Sequence, residues 1–239
     1  MKNLPSKLHN AVLEGDISAV EVATKDAVEA GYDPLKVTEW LSSGIREVGE
    51  RFSKLELFVP DLILSAEAMK AGMRILLPAI ERRGGKIEYK GRVILGTVAG
   101  DIHDIGKSLV AVMLETRGFE VIDLGADVPT KTFVEKVKEL KPDILGLSAL
   151  LTTTMLEQRK VIEALQKEGL RDKVKVMVGG AVASEEWAKE IEADAYGIDA
   201  VDAAEKAEKL LSGVTKNPRK LKQHTRKTSP KYGRCRYVL

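Results

Sequence analysis

A histidine stands two residues after an aspartate in the segment Gly100-Asp101-Ile102-His103-Asp104-Ile105-Gly106. An apolar run that is typical of a strand precedes this segment, and a helical pattern follows it from Ile105. Open α/β sheets bind ligands beyond the carboxyl ends of their strands, which is where such a turn lies. An aspartate at this spacing can hold one ring nitrogen of the histidine, as metal-ligating histidines usually require. The segment therefore predicts a ligating His103 that Asp101 orients.

Two further turns carry residues suited to ligand binding. The third apolar run ends in a series rich in hydroxyl groups, from Ser148 through Thr152 to Thr154, where the polar edge of a ligand could lie. The fourth ends in Gly179-Gly180, and glycines permit close approach to the backbone. All three turns are expected at one edge of a single sheet.

The elements that would position these turns alternate regularly after residue 91. Strands are predicted at 92–99, 119–124, 143–149, 174–178 and 194–198, and helices at 105–117, 130–141, 154–168, 184–192 and 200–212. This alternation predicts an α/β fold with a parallel sheet covered by helices on both faces. Right-handed crossovers favour a doubly wound, flavodoxin-like sheet, in which the first and third strands flank the ligand crevice.

The first 83 residues have a different pattern. Helices are predicted at about 5–14, 16–30, 34–52 and 60–82, each amphipathic and joined to the next by a short connection. They predict a small four-helix bundle. Residues 84–91 contain three glycines and read as a linker, and 92–213 form the predicted sheet domain.

Composition restricts the class of protein. The only cysteine is Cys235, which excludes an internal disulfide and favours a reducing, cytoplasmic setting. No apolar run approaches the roughly 18 residues that span a membrane, and residues 1–6 lack an apolar core, so we expect neither a membrane span nor a secretory signal. From Lys216 onward nine residues are basic and none is acidic, so positions 1–215 hold 29 basic against 36 acidic residues, a net charge of −7. An acidic body argues against nucleic-acid binding. The tail, 214–239, reads as a disordered extension or as a dock for an acidic partner.

The turns together resemble a known family. Asp101-x-His103-x-x-Gly106, Ser148-x-Leu150 and Gly179-Gly180 are similar to the fingerprint of cobalamin-binding domains that hold the cofactor base-off with a histidine on cobalt. Val48-Gly49-Glu50-Arg51-Phe52, Phe58-Val59-Pro60-Asp61-Leu62 and Ala66-x-x-Met69-Lys70 resemble the helical cap of methionine synthase. Residues 1–213 as a whole resemble the small corrinoid proteins of methylamine, methanol and O-demethylase methyltransferase systems.

The resemblance implies a role for each matched residue. His103 would be the axial cobalt ligand, Asp101 would hydrogen-bond its other nitrogen, and Thr154 would complete a histidine–aspartate–hydroxyl relay. The residues implied to surround the cofactor are Asp101, His103, Asp104, Ile105, Gly106, Ser148, Leu150, Thr152, Thr154, Gly179 and Gly180. In the cap, Phe58, Leu62 and Met69 would cover the methyl face of the corrin.

The family also implies a methyl carrier that is not catalytic on its own. Cobalt(I) would take a methyl group from a substrate-specific methyltransferase. Methyl-cobalt(III) would deliver it to a second methyltransferase that acts on tetrahydrofolate or a thiol. A reductive activator is a further implied partner, and the 84–91 linker is a plausible hinge for the cap.

Other interpretations remain open at this stage. A cobalamin-dependent sensor would use the same cap and sheet. A dinucleotide enzyme is disfavoured, because Gly96-Thr97-Val98-Ala99-Gly100 does not provide G-x-G-x-x-G after the first strand. Asp104 reads as a helix-capping carboxylate, Phe58, Leu62 and Met69 are equally consistent with core packing, and Trp187 reads as a packing residue.

Overall fold

The computed structural model describes residues 3–212. The basic tail predicted at 214–239, with Cys235, lies outside the described residues. Within residues 3–212, no helix combines the length and the apolar character needed to cross a membrane.

Four helices form the N-terminal part, as predicted. Their bounds are α1 Leu4–Leu13, α2 Ile17–Glu29, α3 Pro34–Ser53 and α4 Val59–Arg82. The Asp16 carboxylate caps α2 by accepting a hydrogen bond from the Ala19 amide at 2.8 Å. Asp33 caps α3 through the Leu35 amide at 3.1 Å, and Pro34 occupies the first turn, where a missing N–H costs nothing. The local capping signals thus set where the bundle helices begin.

The second part alternates strands and helices as predicted. Its elements are β1 Arg92–Thr97, α5 Ile105–Thr116, β2 Glu120–Asp123, α6 Thr130–Leu140, β3 Ile144–Ser148, α7 Thr152–Lys167, β4 Lys175–Gly179, α8 Glu185–Glu190, β5 Ala195–Gly197 and α9 Ala200–Ser212. The five strands are all parallel, in the order β2-β1-β3-β4-β5. This order confirms the flavodoxin-like prediction and places β1 beside β3, with Thr97 opposite Ser148.

The helical part packs directly on the sheet part. Buried residues of α1 to α4 belong to the same apolar cluster as buried residues of β1, α5 and α9. Gly49 of α3 lies so close to α5 that a Cβ on it would be 2.9 Å from the Cβ of Thr116. The segment predicted as a linker, 84–91, contains neither helix nor strand, and its Lys90 amide donates to the Gly118 carbonyl at 3.0 Å.

The close approach at Gly49 leads to a stability prediction. We expect Gly49→Ala to lower the free energy of unfolding by about 1–2 kcal/mol, because overpacking costs up to about 3 kcal/mol and exceeds the roughly 1 kcal/mol gain in helix propensity. Glu50→Ala, on the exposed side of the same helix, is the matched control and should not destabilise the protein. Urea unfolding measures both variants. Equal stability of Gly49→Ala and the unmodified protein would contradict the packing described for α3 and α5.

Candidate functional site

The predicted histidine lies in the turn between β1 and α5, at the carboxyl edge of the sheet. The turn after β3 lies beside it, because Thr97 and Ser148 are partners in the parallel pair. The Thr97 hydroxyl donates to the His103 carbonyl at 2.9 Å and so ties the turn back to the end of β1. Strand order therefore brings together two turns that are almost fifty residues apart in the chain.

Asp101 is the centre of the hydrogen bonds at this edge. Its side chain is fully buried. Oδ1 accepts from His103 Nδ1 at 2.7 Å and from the His103 amide at 3.1 Å. Oδ2 accepts from the Thr154 hydroxyl and from the Leu150 amide, each at 2.7 Å. The histidine, aspartate and hydroxyl named from the sequence are thus in hydrogen-bonding contact.

These bonds control the ionisation of Asp101. Burial alone raises the pKa of this carboxyl, because removal from water disfavours its charged form. The hydrogen bonds from Thr154, Leu150 and His103 together outweigh burial and hold the pKa well below its usual range. Asp101 is therefore a carboxylate at neutral pH and can only accept hydrogen bonds.

An ionised Asp101 decides which nitrogen of His103 is free. Nδ1 must carry a proton in order to donate to the carboxylate, so the lone pair of the neutral ring is on Nε2. The side chain is 47% exposed, and no hydrogen bond to Nε2 is found among residues 3–212. This arrangement would allow His103 Nε2 to bind a metal ion whose other ligands came from a cofactor. His9, in contrast, has both ring nitrogens engaged by Ser43 and Glu47, at 2.8 and 2.9 Å.

The two glycines at the end of β4, Gly179 in the strand and Gly180 directly after it, lie close to neighbouring backbone. Gly180 adopts a φ of 109°, and a Cβ there would lie 1.9 Å from the Ala149 carbonyl oxygen. A Cβ on Gly179 would lie 3.2 Å from the Gly197 carbonyl oxygen. Close approach of the protein's own backbone is therefore enough to explain Gly180. That either glycine lines a ligand channel stays a prediction.

The remaining turn residues occupy different environments. Ile105 and Gly106 are exposed at the start of α5, as are Leu150 and Thr152 around the start of α7, whereas Ser148 is half-buried. Asp104 occupies the position before α5, but its side chain makes no capping hydrogen bond. Asp104 therefore lies at the N-cap position predicted for it, without a hydrogen bond from its carboxylate to the helix amides.

The three residues predicted to cover a ligand from the cap also differ. Phe58 is 74% exposed, directly before α4. Met69 is half-buried and packs against the shared core. Leu62 is completely buried within that core. Leu62 thus has the environment of a packing residue. Of the three residues, Phe58 has the side chain that is mostly exposed to solvent.

Sequence reasoning missed a buried glutamine behind the site. Gln158 of α7 donates to the carbonyls of Leu147 and Gly179, at 2.9 and 3.1 Å, and so joins the ends of β3 and β4. Its Oε1 accepts from Trp187 Nε1 at 2.9 Å, so Trp187 does more than pack. The sequence held one indication of this role: Gln158 stands at the helical spacing of the buried residues of α7, where a polar side chain needs a hydrogen-bond partner.

The Thr154 hydroxyl gives a direct test of the Asp101 network. We expect Thr154→Val to lower the free energy of unfolding of the cofactor-free protein by about 1.5–3 kcal/mol, because a buried carboxylate loses a donor. Thr154→Ser is the control, since it keeps the hydroxyl and loses one methyl group, worth about 1 kcal/mol. Chemical denaturation compares the two. A valine variant as stable as the serine variant would contradict this role of Thr154.

Comparison with known families agrees with both parts of the chain. A family described as "B12 binding domain" matches residues 91–211, and a second family of the same description matches residues 6–77. The first match covers the sheet part with the site, and the second covers most of the helical bundle.

Individual relatives extend over nearly the whole described chain. The chain is 47% identical over 207 residues to trimethylamine corrinoid protein 2 of Methanosarcina mazei, covering 86% of this chain and 95% of the relative. It is 45% identical over 216 residues to dimethylamine corrinoid protein 2 of Methanosarcina acetivorans, covering 89% and 98%. The crystal structure of the methanol:cobalamin methyltransferase complex of Methanosarcina barkeri superposes with a TM-score of 0.83 at 31% identity, covering 90% of this chain and 82% of that one. The chain belongs to the corrinoid proteins of methyltransferase systems, which bind a B12-type cofactor.

Proposed function

We propose that this protein carries a methyl group between two methyltransferases on a corrinoid whose cobalt is held by His103. The observation that carries the proposal is the 2.7 Å hydrogen bond between His103 Nδ1 and the buried Asp101, which leaves Nε2 available at the carboxyl edge of the sheet. Membership of the corrinoid proteins supplies the type of cofactor.

The chain's own residues would hold and orient rather than react. Asp101 keeps the proton of His103 on Nδ1, and Thr154 and the Leu150 amide keep Asp101 in place. A corrinoid bound there supplies a cobalt centre that can accept and release a methyl group, chemistry that no side chain provides. The protein's part is to fix the direction of Nε2 and to limit access of water.

Apolar surface around His103 supports the proposed binding mode. Ile102 and Ile105, the neighbours of His103 in its turn, are 77% and 78% exposed. Phe58 of the cap is 74% exposed, and it enters the proposal through the resemblance to the cap of methionine synthase. Large exposed apolar side chains near one site indicate a surface that a ligand or partner covers. We propose that the corrin ring contacts Ile102, Ile105 and Phe58, and that its displaced nucleotide tail lies beside Ser148 and Gly179.

The partners follow from the family. We propose that a substrate-specific methyltransferase loads the carrier, that a second enzyme acting on tetrahydrofolate or a thiol unloads it, and that a reductive activator restores oxidised cobalt. The relatives include trimethylamine and dimethylamine corrinoid proteins at similar identity. Methylated amines are accordingly the first donors to test, with the choice among them made by the loading enzyme.

Electron paramagnetic resonance of the cobalt(II) state tests the role of His103. The protein is reconstituted with hydroxocobalamin and reduced, and we expect splitting from one axial nitrogen. His103→Ala should retain most of its cobalamin but lose the splitting that the protein contributes. His9→Ala is the matched control, since it removes the other described histidine, and its spectrum should equal that of the unmodified protein.

Two results would contradict the proposal. One is the absence of bound cobalamin in the unmodified protein. The other is a cobalt(II) spectrum that His103→Ala leaves unchanged, because the axial nitrogen would then come from another source.

A further inference from the structure

The connection between β2 and α6 packs along the turn that carries His103. Its backbone forms two hydrogen bonds with Thr97, at the end of β1. The Thr97 amide donates to the Gly125 carbonyl, and the Val128 amide donates to the Thr97 carbonyl, each at 3.0 Å. This connection contributes none of the residues matched by the cobalamin fingerprint.

Asp127 in this connection holds the backbone immediately before and at Asp101. Its carboxylate accepts from the Gly100 amide at 2.7 Å. Its own amide donates to the Asp101 carbonyl at 2.9 Å. Asp127 therefore binds the amide of Gly100 and the carbonyl of Asp101, one on each side of the peptide bond that joins these residues. The backbone conformation at this bond sets the direction of the Asp101 side chain.

The backbone of Asp127 is itself in an unusual conformation. Its φ is 52°, in the left-handed region, which a short polar side chain such as aspartate or asparagine tolerates better than most residues. This conformation lets the amide and the carboxylate face the same neighbouring turn. The residue type and the backbone geometry are consequently matched to the two contacts.

The connection is also anchored at its beginning. Lys107, in the first turn of α5, is 3% exposed and forms an ion pair with Asp123. The other carboxylate oxygen of Asp123 accepts from the Gly125 amide at 2.9 Å. The end of β2 thus holds α5 through Asp123, and the connection holds the preceding turn through Asp127. His103 lies in the chain between the two segments that these contacts hold.

We propose that Asp127 is a positioning residue for the cobalt ligand, acting through the Gly100 and Asp101 backbone to set the orientation of the His103 ring. The inference rests on the proposed function, in which His103 ligates cobalt. Among the described residues, the hydrogen bonds of Asp127 at this turn go to Gly100 and Asp101, and none goes to His103. Its effect is to make the hydrogen bond between Asp101 and His103 part of the folded protein before any cofactor arrives.

Variants at position 127 separate the hydrogen bond from the backbone conformation. Asp127→Gly keeps access to the left-handed region and removes the acceptor. Asp127→Asn keeps both, because its amide oxygen can accept from Gly100. Asp127→Ala is a second variant without the acceptor, for use if the glycine variant fails to fold. Lys141→Gly, at another left-handed residue that lies exposed after α6, is the control for introducing glycine.

Two measurements report how these substitutions change the orientation of His103. Nitrogen-15 nuclear magnetic resonance of the cofactor-free protein reports the Nδ1 proton of His103, assigned by its loss in His103→Ala. Electron paramagnetic resonance of the reconstituted cobalt(II) protein reports the ratio of histidine-free to histidine-bound cobalt. We expect Asp127→Gly to weaken the Nδ1 proton signal and to raise that ratio about tenfold, the lower range for loss of an outer-shell partner. Asp127→Asn and Lys141→Gly should stay within about twofold of the unmodified protein.

The outcomes distinguish this inference from the proposed function. If the Nδ1 proton signal of His103 in cofactor-free Asp127→Gly is as strong as in Asp127→Asn, Asp127 does not position His103 and the inference is overturned. If the unmodified protein shows no histidine nitrogen on cobalt, the proposed function fails. The cofactor-free measurement still decides whether Asp127 orients the ring.

Discussion

The buried carboxylate of Asp101 is the interaction on which the site depends. An ionised carboxylate without water is stable only if donors surround it, and its donors here come from separate segments of the chain. His103 donates from the turn after β1, the Leu150 amide from the turn after β3, and Thr154 from the first turn of α7. Each donor ties its segment to the same two oxygen atoms, so folding itself fixes the direction of the imidazole. A preformed ligand of this kind need not be ordered when the cofactor binds.

The sheet and the cap make this arrangement possible. Because β1 and β3 are neighbours in the parallel sheet, their following turns meet at one edge, as doubly wound folds require of a ligand crevice. The helical part shares a core with α5, whose first turn begins two residues after His103. Close packing at Gly49 keeps α3 against α5. The cap and the histidine turn are therefore both connected to one helix, α5.

Much of this could be predicted from the sequence, and the exceptions share a cause. Alternating apolar runs and capping residues predict the elements and the strand order, and the Asp101-x-His103 spacing predicts the bond between these two side chains. The part played by Thr154 comes from the resemblance to cobalamin-binding domains. Asp127 and Gln158 could not be predicted, because their partners, mostly backbone groups and for Gln158 also the Trp187 side chain, are brought close only by tertiary structure. From the sequence, the glycine at position 180 is attributed to the approach of a ligand, whereas the nearby Ala149 carbonyl already leaves no room for a side chain there. Leu62 shows the same ambiguity, since apolar residues at helical spacing serve a core and a lid equally well. A pattern within one segment does not reveal which neighbour a residue faces.

Nitrogen isotope substitution tests the central claim most directly. The protein is prepared with nitrogen-15 histidine as its only labelled residue, reconstituted with unlabelled cobalamin and reduced to cobalt(II). If His103 is the axial ligand, each cobalt line in the electron paramagnetic resonance spectrum splits into two, because nitrogen-15 has spin one-half. If each line still splits into three, the nitrogen is the cofactor's own benzimidazole. In that case His103 would not hold the cobalt.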